Sequence, residues 1–163
     1  MIRWTLPGDG AAFLKGRYSR EHTWSFDGGV TVPASPAPSV IPVPFSNPAG
    51  VDPEEAYVAA IASCHMLSFL YVAMRAGFVV ERYEDHARGV MRKNERGAIW
   101  VAAVTLRPRI VFRGSTRPTP AEVDRLHQRA HEECFIANSV KTAITVDPII
   151  AASPVLDDAG PRE

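Results

Sequence analysis

Residues 52–77 read DPEEAYVAAIASCHMLSFLYVAMRAG and predict a long helix. Asp52 supplies an oxygen for an N-cap, Pro53 suits the first helical position, and two acids follow where the helix dipole favours negative charge. Gly77 marks the end, because glycine is the usual residue just beyond a helix. Apolar side chains lie all round the segment, so we expect it to be buried on most sides.

The same segment is long enough, at about 34 Å, to cross a membrane. However, Ser63, His65 and Ser68 lie in its middle, where a bilayer disfavours polar groups, and its flanks are typical of an α+β domain. We therefore expect a core helix and no membrane association. The many alanines before Cys64 allow close approach of another helix, which favours packing against a second copy of the chain.

Upstream of this helix, the sequence predicts a hairpin and a long loop. Residues 23–26 and 30–32 alternate polar and apolar side chains around a turn at 27–29, as in a β-hairpin. Residues 33–53 contain seven of the fourteen prolines, which excludes a helix or a central strand. We expect an extended loop that has a function or wraps a partner.

Downstream of Gly77, apolar residues recur at every second position, which predicts antiparallel strands. These strands are at residues 83–93, 98–106 and 110–112, with a turn at 94–97. The sequence Thr119-Pro120-Ala121-Glu122 is a capping box, so a second helix begins there and ends near Cys134. A last strand at 142–146 precedes residues 149–163, which we expect to be a flexible tail.

The composition fits one globular domain over residues 1–163, with 46% apolar and 22% charged residues. Lysine and arginine (18) balance aspartate and glutamate (18), so there is no electrostatic case for nucleic acid or an anionic membrane. The first residues lack the features of a signal peptide, and we expect a cytoplasmic protein. Cysteines stay reduced there, which favours reactivity or simple burial over a structural disulfide.

The chain has two cysteines, Cys64 and Cys134, which is the minimum number for a thiol redox cycle. A thiolate that meets a peroxide becomes a sulfenic acid, and a second thiol within reach captures it as a disulfide. Seventy residues separate the two, so they do not form a CxxC motif. Composition alone leaves open whether the thiols meet.

Two motifs resemble the OsmC/Ohr family of hydroperoxide reductases. Residues 52–66, DPEEAYVAAIASCHM, are similar to the family's N/D-P-E-x leader and first cysteine, and residues 131–141, HEECFIANSVK, to the segment around its second cysteine. The resemblance extends over about residues 12–147. Phe135 departs from the pattern, since many members have proline there.

This resemblance implies that Cys64 is the peroxidatic cysteine and Cys134 the resolving one. It also implies an arginine and a glutamate that hold the thiolate and position the peroxide. Glu54 matches the glutamate, and we prefer Arg20 to Arg17 as the arginine, placing both on the first strand. The implied fold is α+β and OsmC-like, with an antiparallel sheet on a long central helix plus a second helix, in an intertwined homodimer with active sites at the interface.

The predicted function is therefore a stress-related, thiol-dependent peroxidase that reduces organic hydroperoxides to alcohols without a cofactor. The apolar helix wall at Met66, Phe69 and Leu70 favours an organic hydroperoxide over hydrogen peroxide. His22, beside the arginines, is also assigned to substrate binding. The resemblance implies an external dithiol, of the lipoyl type, that reduces the Cys64–Cys134 disulfide.

Helix geometry adds a constraint on the predicted site. Ten residues of α-helix separate Glu54 from Cys64 by about 15 Å and put them on different faces. One straight helix cannot bring these two side chains together. A kinked start or a second chain is required.

Two alternatives remain open at this point. The first is a zinc site, because His127 and His131 are spaced i, i+4, Cys134 follows, and Cys64-His65 completes four ligands. No CxxC motif accompanies these residues, so we expect no metal. The other is a non-catalytic stress-related ligand-binding protein on the same fold, with inert cysteines.

Each predicted residue also has a structural explanation. Glu54 suits the first turn of a helix, Arg17 and Arg20 suit a solvated strand, and His65 suits a core or interface position.

Overall fold

A computed structural model describes residues 1–149 of the chain. The predicted tail beyond Ile149 lies outside the described residues. The described elements are β1 (Ile2–Arg3), α1 (Gly10–Leu14), β2 (His22–Ser25), β3 (Thr31–Ala34), α2 (Pro53–Arg75), β4 (Val79–Asp85), β5 (Arg88–Lys93), β6 (Ile99–Leu106), β7 (Pro108–Arg113), α3 (Pro120–Glu133), a 3-10 turn (Ala137–Ser139) and β8 (Ala143–Val146). The α+β class is confirmed. The chain divides into two compact units, Met1–Ala59 and a second that begins at Ala60.

The first unit contains an antiparallel sheet in the order β1-β2-β3. Strands β2 and β3 pair from His22↔Ala34 to Ser25↔Thr31, so the predicted hairpin is confirmed. Arg17 and Arg20 lie between α1 and β2, so their predicted place on a strand is wrong. The pattern missed β1 and α1, because two and five residues are too few to show a period.

The proline-rich segment between β3 and α2 is a loop held by backbone and hydroxyl hydrogen bonds. The Ser35 amide donates to the Val51 carbonyl (3.1 Å), and the Asn47 amide donates to Ser35 Oγ (2.8 Å). Pro33 lies in β3, at the edge of its sheet, where a missing amide is tolerated. The loop prediction is therefore confirmed for most of its length.

Helix α2 begins and ends as the sequence predicts. Asp52 Oδ1 accepts from the Glu55 amide (2.7 Å), and Glu55 Oε2 accepts from the Asp52 amide (3.3 Å), which makes a reciprocal cap. Gly77 adopts φ +82°, a conformation that favours glycine, just after the last turn. By length and composition α2 is able to cross a membrane, a test that the core helix of a soluble protein also passes.

The second unit contains two sheets, β4-β7 and β5-β6-β8. The single strand predicted at 83–93 is wrong: a break at His86-Ala87 divides it into β4 and β5, which belong to different sheets. The last strand predicted at 142–146 is confirmed as β8, and it pairs in parallel with β6. A parallel partner needs a long crossover connection, which helix α3 and its flanking loops provide.

The core of the second unit joins one face of α2 to α3. Its buried members are Phe69, Val72, Ala73, Leu126 and Ala130, and aromatic and aliphatic side chains of β4 and β7 pack against them. The opposite side of α2 leaves large apolar side chains exposed at Leu67, Tyr71 and Met74. The expectation of burial on most sides is therefore wrong for a single chain, because apolar composition does not say which face meets a neighbour.

Gly50 allows the close approach of the proline-rich loop to β3. A Cβ at Gly50 would lie 2.9 Å from Ser35 Cβ and 3.0 Å from its backbone nitrogen. We predict that Gly50→Ala lowers the free energy of unfolding by about 1–3 kcal/mol, because backbone must shift to accept the methyl group. Gly28→Ala is the matched control, since a Cβ there meets nothing within 4 Å. Urea denaturation measures both, and equal stabilities would contradict the prediction.

Candidate active site

The second unit brings the two cysteines together. Cys64 lies on helix α2 and is half-buried, whereas Cys134 caps the end of α3 and is fully buried. The Cys64 side chain is close enough to contribute to the raised pKa of the Cys134 thiol, and two adjacent residues, Ile136 and Ala137, each contact one of the two sulfurs. Both are free thiols, so the arrangement is the reduced form of a pair within reach of a disulfide.

Two successive backbone amides point at the two sulfurs. The Ile136 amide donates to Cys64 Sγ (3.5 Å), and the Ala137 amide donates to Cys134 Sγ (3.4 Å). Amide donors stabilise negative charge on sulfur in the same way that they stabilise other anions. The segment after α3 therefore serves both cysteines at once.

Asn138 fastens this segment to the end of α3. Its Nδ2 donates to the Glu132 and Cys134 carbonyls, both at 2.9 Å, and so satisfies oxygens that the helix end leaves without partners. Ser139 Oγ donates to the Phe135 carbonyl (2.7 Å). Phe135 itself points to solvent and is 83% exposed. No proline is needed to form the turn here, because side-chain bonds hold it.

The surroundings of Cys134 favour its protonated form. Burial raises the pKa of the Cys134 thiol, and the hydrogen bond with Cys64 and the charge of Cys64 raise it further, against the lowering effect of the Ala137 and Ile136 amides. Cys134 is thus a buried thiol, and Cys64 is the more accessible sulfur of the pair.

A separate cavity of about 470 Å³ lies in the first unit. Of the residues predicted for the site, Arg20, His22 and Glu54 line it. The Arg20 guanidinium lies 4.1 Å from the centre of the Tyr18 ring, and its Nη1 donates to the Tyr18 carbonyl (3.1 Å). The structure thus brings three predicted residues to one cavity.

The other predicted residues lie elsewhere. Arg17 is exposed and does not line this cavity. Met66 and Leu70 are half-buried on α2, whereas Phe69 is fully buried in the core, 5.7 Å from the ring of Tyr83. Core packing explains Phe69, and the substrate contacts assigned to these three side chains stay predictions.

His65 forms a buried pair with His127. Their Nε2 and Nδ1 atoms are 3.0 Å apart, their rings stack, and Phe69 packs on the His127 ring. The expectation that His65 is a core histidine is confirmed. Burial, followed by the charge of His131, lowers the pKa of His65 to about 4, and burial, followed by His65, lowers the pKa of His127 to about 3. Both rings are therefore neutral at neutral pH.

The histidine pair also bears on the zinc alternative. The facing nitrogens of His65 and His127, two of the predicted ligands, hydrogen-bond to each other. In residues 1–149, no group of three or more histidine, cysteine or acidic side chains has the geometry to hold a metal ion.

Sequence reasoning missed several groups that shape these sites. The Ile136 and Ala137 amides leave no signal in a side-chain pattern, and the role of Asn138 requires knowing where α3 ends. Trp4 and Phe13 line the cavity of the first unit; Trp4 follows β1 and Phe13 lies in α1, two elements too short to predict. An aromatic excess before residue 20 is the one signal that was available.

The fold and the paired thiols define an α+β protein with a two-cysteine site. A family model described as OsmC-like protein matches residues 46–148. The chain belongs to the OsmC-like family, so the resemblance seen in the motifs is confirmed. Among curated proteins, none is significantly similar to the chain.

Solved structures support the same assignment. An OsmC-like protein of unknown function from Vibrio cholerae has 48% sequence identity and a TM-score of 0.87, over 91% of this chain and 96% of that chain. An organic hydroperoxide resistance protein from Legionella pneumophila has 15% identity and a TM-score of 0.63, over 91% and 93%. One from Bacillus subtilis has 18% identity and a TM-score of 0.60, over 91% and 98%. The last two share the fold.

The buried histidine pair makes stability depend on pH. Because their pKa values are lowered on folding, the unfolded chain binds protons below about pH 6.5 that the folded chain does not accept until about pH 4. We predict that the free energy of unfolding falls with decreasing pH in this window, by about 1.4 kcal/mol per pH unit for each histidine. Urea denaturation at pH 7, 6 and 5 measures the slope.

The double variant His65→Leu/His127→Leu removes both partners together and should flatten this pH dependence. His86→Gln, at an exposed position, is the matched control and should keep the slope of the unchanged protein. An unchanged slope in the double variant would show that other groups carry the pH dependence.

Proposed function

We propose that the protein is a thiol-dependent peroxidase that reduces organic hydroperoxides to alcohols. The observation that carries this proposal is the pair of free thiols of Cys64 and Cys134, seventy residues apart, whose sulfurs accept hydrogen bonds from the successive amides of Ile136 and Ala137. The more accessible sulfur, on Cys64, is suited to meet a substrate. The buried thiol of Cys134 is suited to meet only the product of that first step.

The reaction proceeds in two steps that balance within the chain. The Cys64 thiolate attacks the distal oxygen of the hydroperoxide, the O–O bond breaks, and the alkoxide leaves and takes a proton to become the alcohol. Cys64 is then a sulfenic acid. The Cys134 sulfur attacks the Cys64 sulfur and loses its proton, the S–O bond breaks, and the leaving hydroxide departs as water.

The loop after α3 supports both steps. The Ile136 amide donates to Cys64 Sγ, which ties the attacking sulfur to the segment that follows Cys134. The Ala137 amide donates to Cys134 Sγ and favours the anion that this sulfur must become during disulfide formation. The raised pKa of Cys134 keeps it protonated between turnovers, so it does not compete for the peroxide.

Arg20 and Glu54 are proposed to position the peroxide, with Arg20 as the cation. Their shared cavity supports this assignment, as does the exposure of Arg17 to solvent. Glu54 and Cys64 are about 15 Å apart along α2, so the two side chains of one straight helix do not meet. Helix α2 runs from Pro53 to Arg75 as one element.

We propose that the active form is a homodimer. Ser63, Leu67, Tyr71 and Met74 form an exposed stripe along one face of α2. Large apolar side chains exposed together on one helix are typical of an interface. A second copy of the chain is the proposed partner. In such a dimer, Glu54 of one copy would lie near Cys64 of the other, which one straight helix does not allow.

The cycle requires a reductant from outside the chain. Two electrons and two protons must return to the Cys64–Cys134 disulfide after each turnover, and a small dithiol of the lipoyl type supplies both by thiol–disulfide exchange. A reducing compartment such as the cytoplasm maintains such a donor. Organic hydroperoxide, external dithiol and a second copy of the chain are thus the proposed partners.

Replacing each cysteine separates the two steps. We predict that Cys64→Ser reduces consumption of cumene hydroperoxide, with dihydrolipoamide as donor, to the uncatalysed rate. Cys134→Ser should still release about one equivalent of alcohol in a single turnover and leave a Cys64 sulfenic acid that dimedone labels. Mass spectrometry identifies the labelled residue. Equal turnover by Cys64→Ser and the unchanged protein would refute the peroxidase and favour a non-catalytic ligand-binding protein.

The two arginines provide a matched pair. We predict that Arg20→Met lowers kcat/KM for the organic hydroperoxide by about a hundredfold, the usual effect of losing a cationic or hydrogen-bonding group from a reacting anion. Arg17→Met should change kcat/KM by less than about twofold, since Arg17 lies in solvent. Steady-state kinetics with a fixed dithiol concentration measures both. The opposite order would transfer the role to Arg17.

A further inference from the structure

One wall of the cavity in the first unit consists of three aromatic rings. Trp4, Phe13 and Tyr18 lie with centroid distances of 5.9 Å (Trp4–Phe13), 5.6 Å (Trp4–Tyr18) and 4.6 Å (Phe13–Tyr18). The first and last pairs are tilted and the Trp4–Tyr18 pair is edge-on, which are favourable arrangements of ring quadrupoles. Trp4 and Phe13 each remain 39% exposed.

Short-range contacts hold these rings in place. Trp4 Nε1 donates to the Ser19 carbonyl (3.0 Å), which fixes the indole over the loop that carries Tyr18. Phe13 lies in α1, which Asp9 caps by accepting from the Ala12 amide (2.8 Å). Arg20 covers one face of Tyr18. A wall held in this way loses little conformational entropy when a ligand binds.

The cavity also has a polar part. Arg20 supplies N–H donors, and Glu54 supplies a carboxylate. His22 Nδ1 lies 2.9 Å from the Arg20 carbonyl, which accepts only, so Nδ1 donates to it and Nε2 is the ring nitrogen left for a ligand. The volume of about 470 Å³ is within the range of small-molecule sites, which combine apolar walls with a few polar groups.

We propose that Trp4 and Phe13 make this cavity selective for ligands that carry an aryl group next to a hydroxyl or hydroperoxyl head. The aryl ring packs on the aromatic wall, and the oxygen head hydrogen-bonds within the polar part. This inference rests on the proposed function for the identity of the head group, because the hydroperoxide is its substrate and the alcohol its product. It adds a preference for aryl over alkyl substituents.

The selectivity is assigned to a part of the chain outside the family match. Trp4, Phe13 and Tyr18 all precede residue 46, where the match to the family model begins. Of the three, Tyr18 also supports Arg20, so its replacement would disturb the polar part. Trp4 and Phe13 contact neither Arg20 nor Glu54 through a described hydrogen bond, and they are therefore the residues to test.

The test compares two alcohols that differ only in the saturation of one six-membered ring, in the Cys64→Ser background, where no turnover takes place. Isothermal titration calorimetry measures the Kd of 2-phenyl-2-propanol and of 2-cyclohexyl-2-propanol. We expect the phenyl compound to bind about fivefold to tenfold more tightly, as one or two additional ring–ring contacts would give. Trp4→Leu and Phe13→Leu should each reduce this ratio to below about twofold.

Phe26→Leu is the matched control, because Phe26 is an exposed phenylalanine of the same unit that does not line the cavity. Circular dichroism establishes that each variant is folded. The ratio should be unchanged in Phe26→Leu. Equal Kd values for the two alcohols in the Cys64→Ser protein, or a ratio that Trp4→Leu and Phe13→Leu both leave intact, would overturn the inference.

Failure of the proposed function gives a different result. If the protein does not consume hydroperoxide but keeps the aryl preference, the proposed peroxidase function is wrong and the inference about the aromatic site stands. A protein that consumes cumene hydroperoxide and tert-butyl hydroperoxide with equal kcat/KM, and binds both alcohols equally, is a peroxidase without this selectivity.

Discussion

Burial of one face of helix α2 against helix α3 is the interaction on which the two-cysteine site depends. Phe69, Val72 and Ala73 pack on Leu126 and Ala130, and this contact fixes how the two helices lie against each other. Cys64 lies about one turn before the packed face, and Cys134 caps the far end of α3. Apolar packing thus sets the separation of two sulfurs that belong to chain segments seventy residues apart.

The histidine pair extends this contact with polar groups. His65 follows Cys64 on α2, and its hydrogen bond to His127 joins the same two helices. The pair is neutral and shares one proton between facing nitrogens, so it joins the helices without placing a charge beside the thiols. A shift of α2 along α3 would break this hydrogen bond and, at the same time, move the two sulfurs apart. The geometry of the site therefore depends on the packing of the core.

The sequence predicted long elements well and short ones poorly. The caps of α2 and α3 are local motifs of four residues, and the structure has both where the sequence placed them. The break at His86-Ala87 went unpredicted because alternation continues through it, and only the pairing of the two halves with different partners reveals two strands. Parallel pairing of β6 with β8 depends on a crossover, which periodicity does not record.

The candidate site was predictable where a motif carried it. The two cysteines stand in recognisable segments, whereas the loop amides, Asn138 and the aromatic wall are defined by backbone direction and distant packing. The prediction that Arg17 and Arg20 lie on a strand was wrong, but Arg20 does line the same cavity as His22 and Glu54. Which of the two arginines lines the cavity depends on the loop conformation, and no spacing rule supplies that.

The loop after α3 contacts both sulfurs through two successive amides, so its hydrogen bonds depend on the oxidation state of the cysteines. Each N–H donates to one sulfur of the reduced pair. A disulfide between Cys64 and Cys134 would therefore change two hydrogen-bond acceptors of the same short segment at once. Phe135 lies between Cys134 and these amides and is exposed, so the segment that contacts the buried sulfur also forms part of the protein surface.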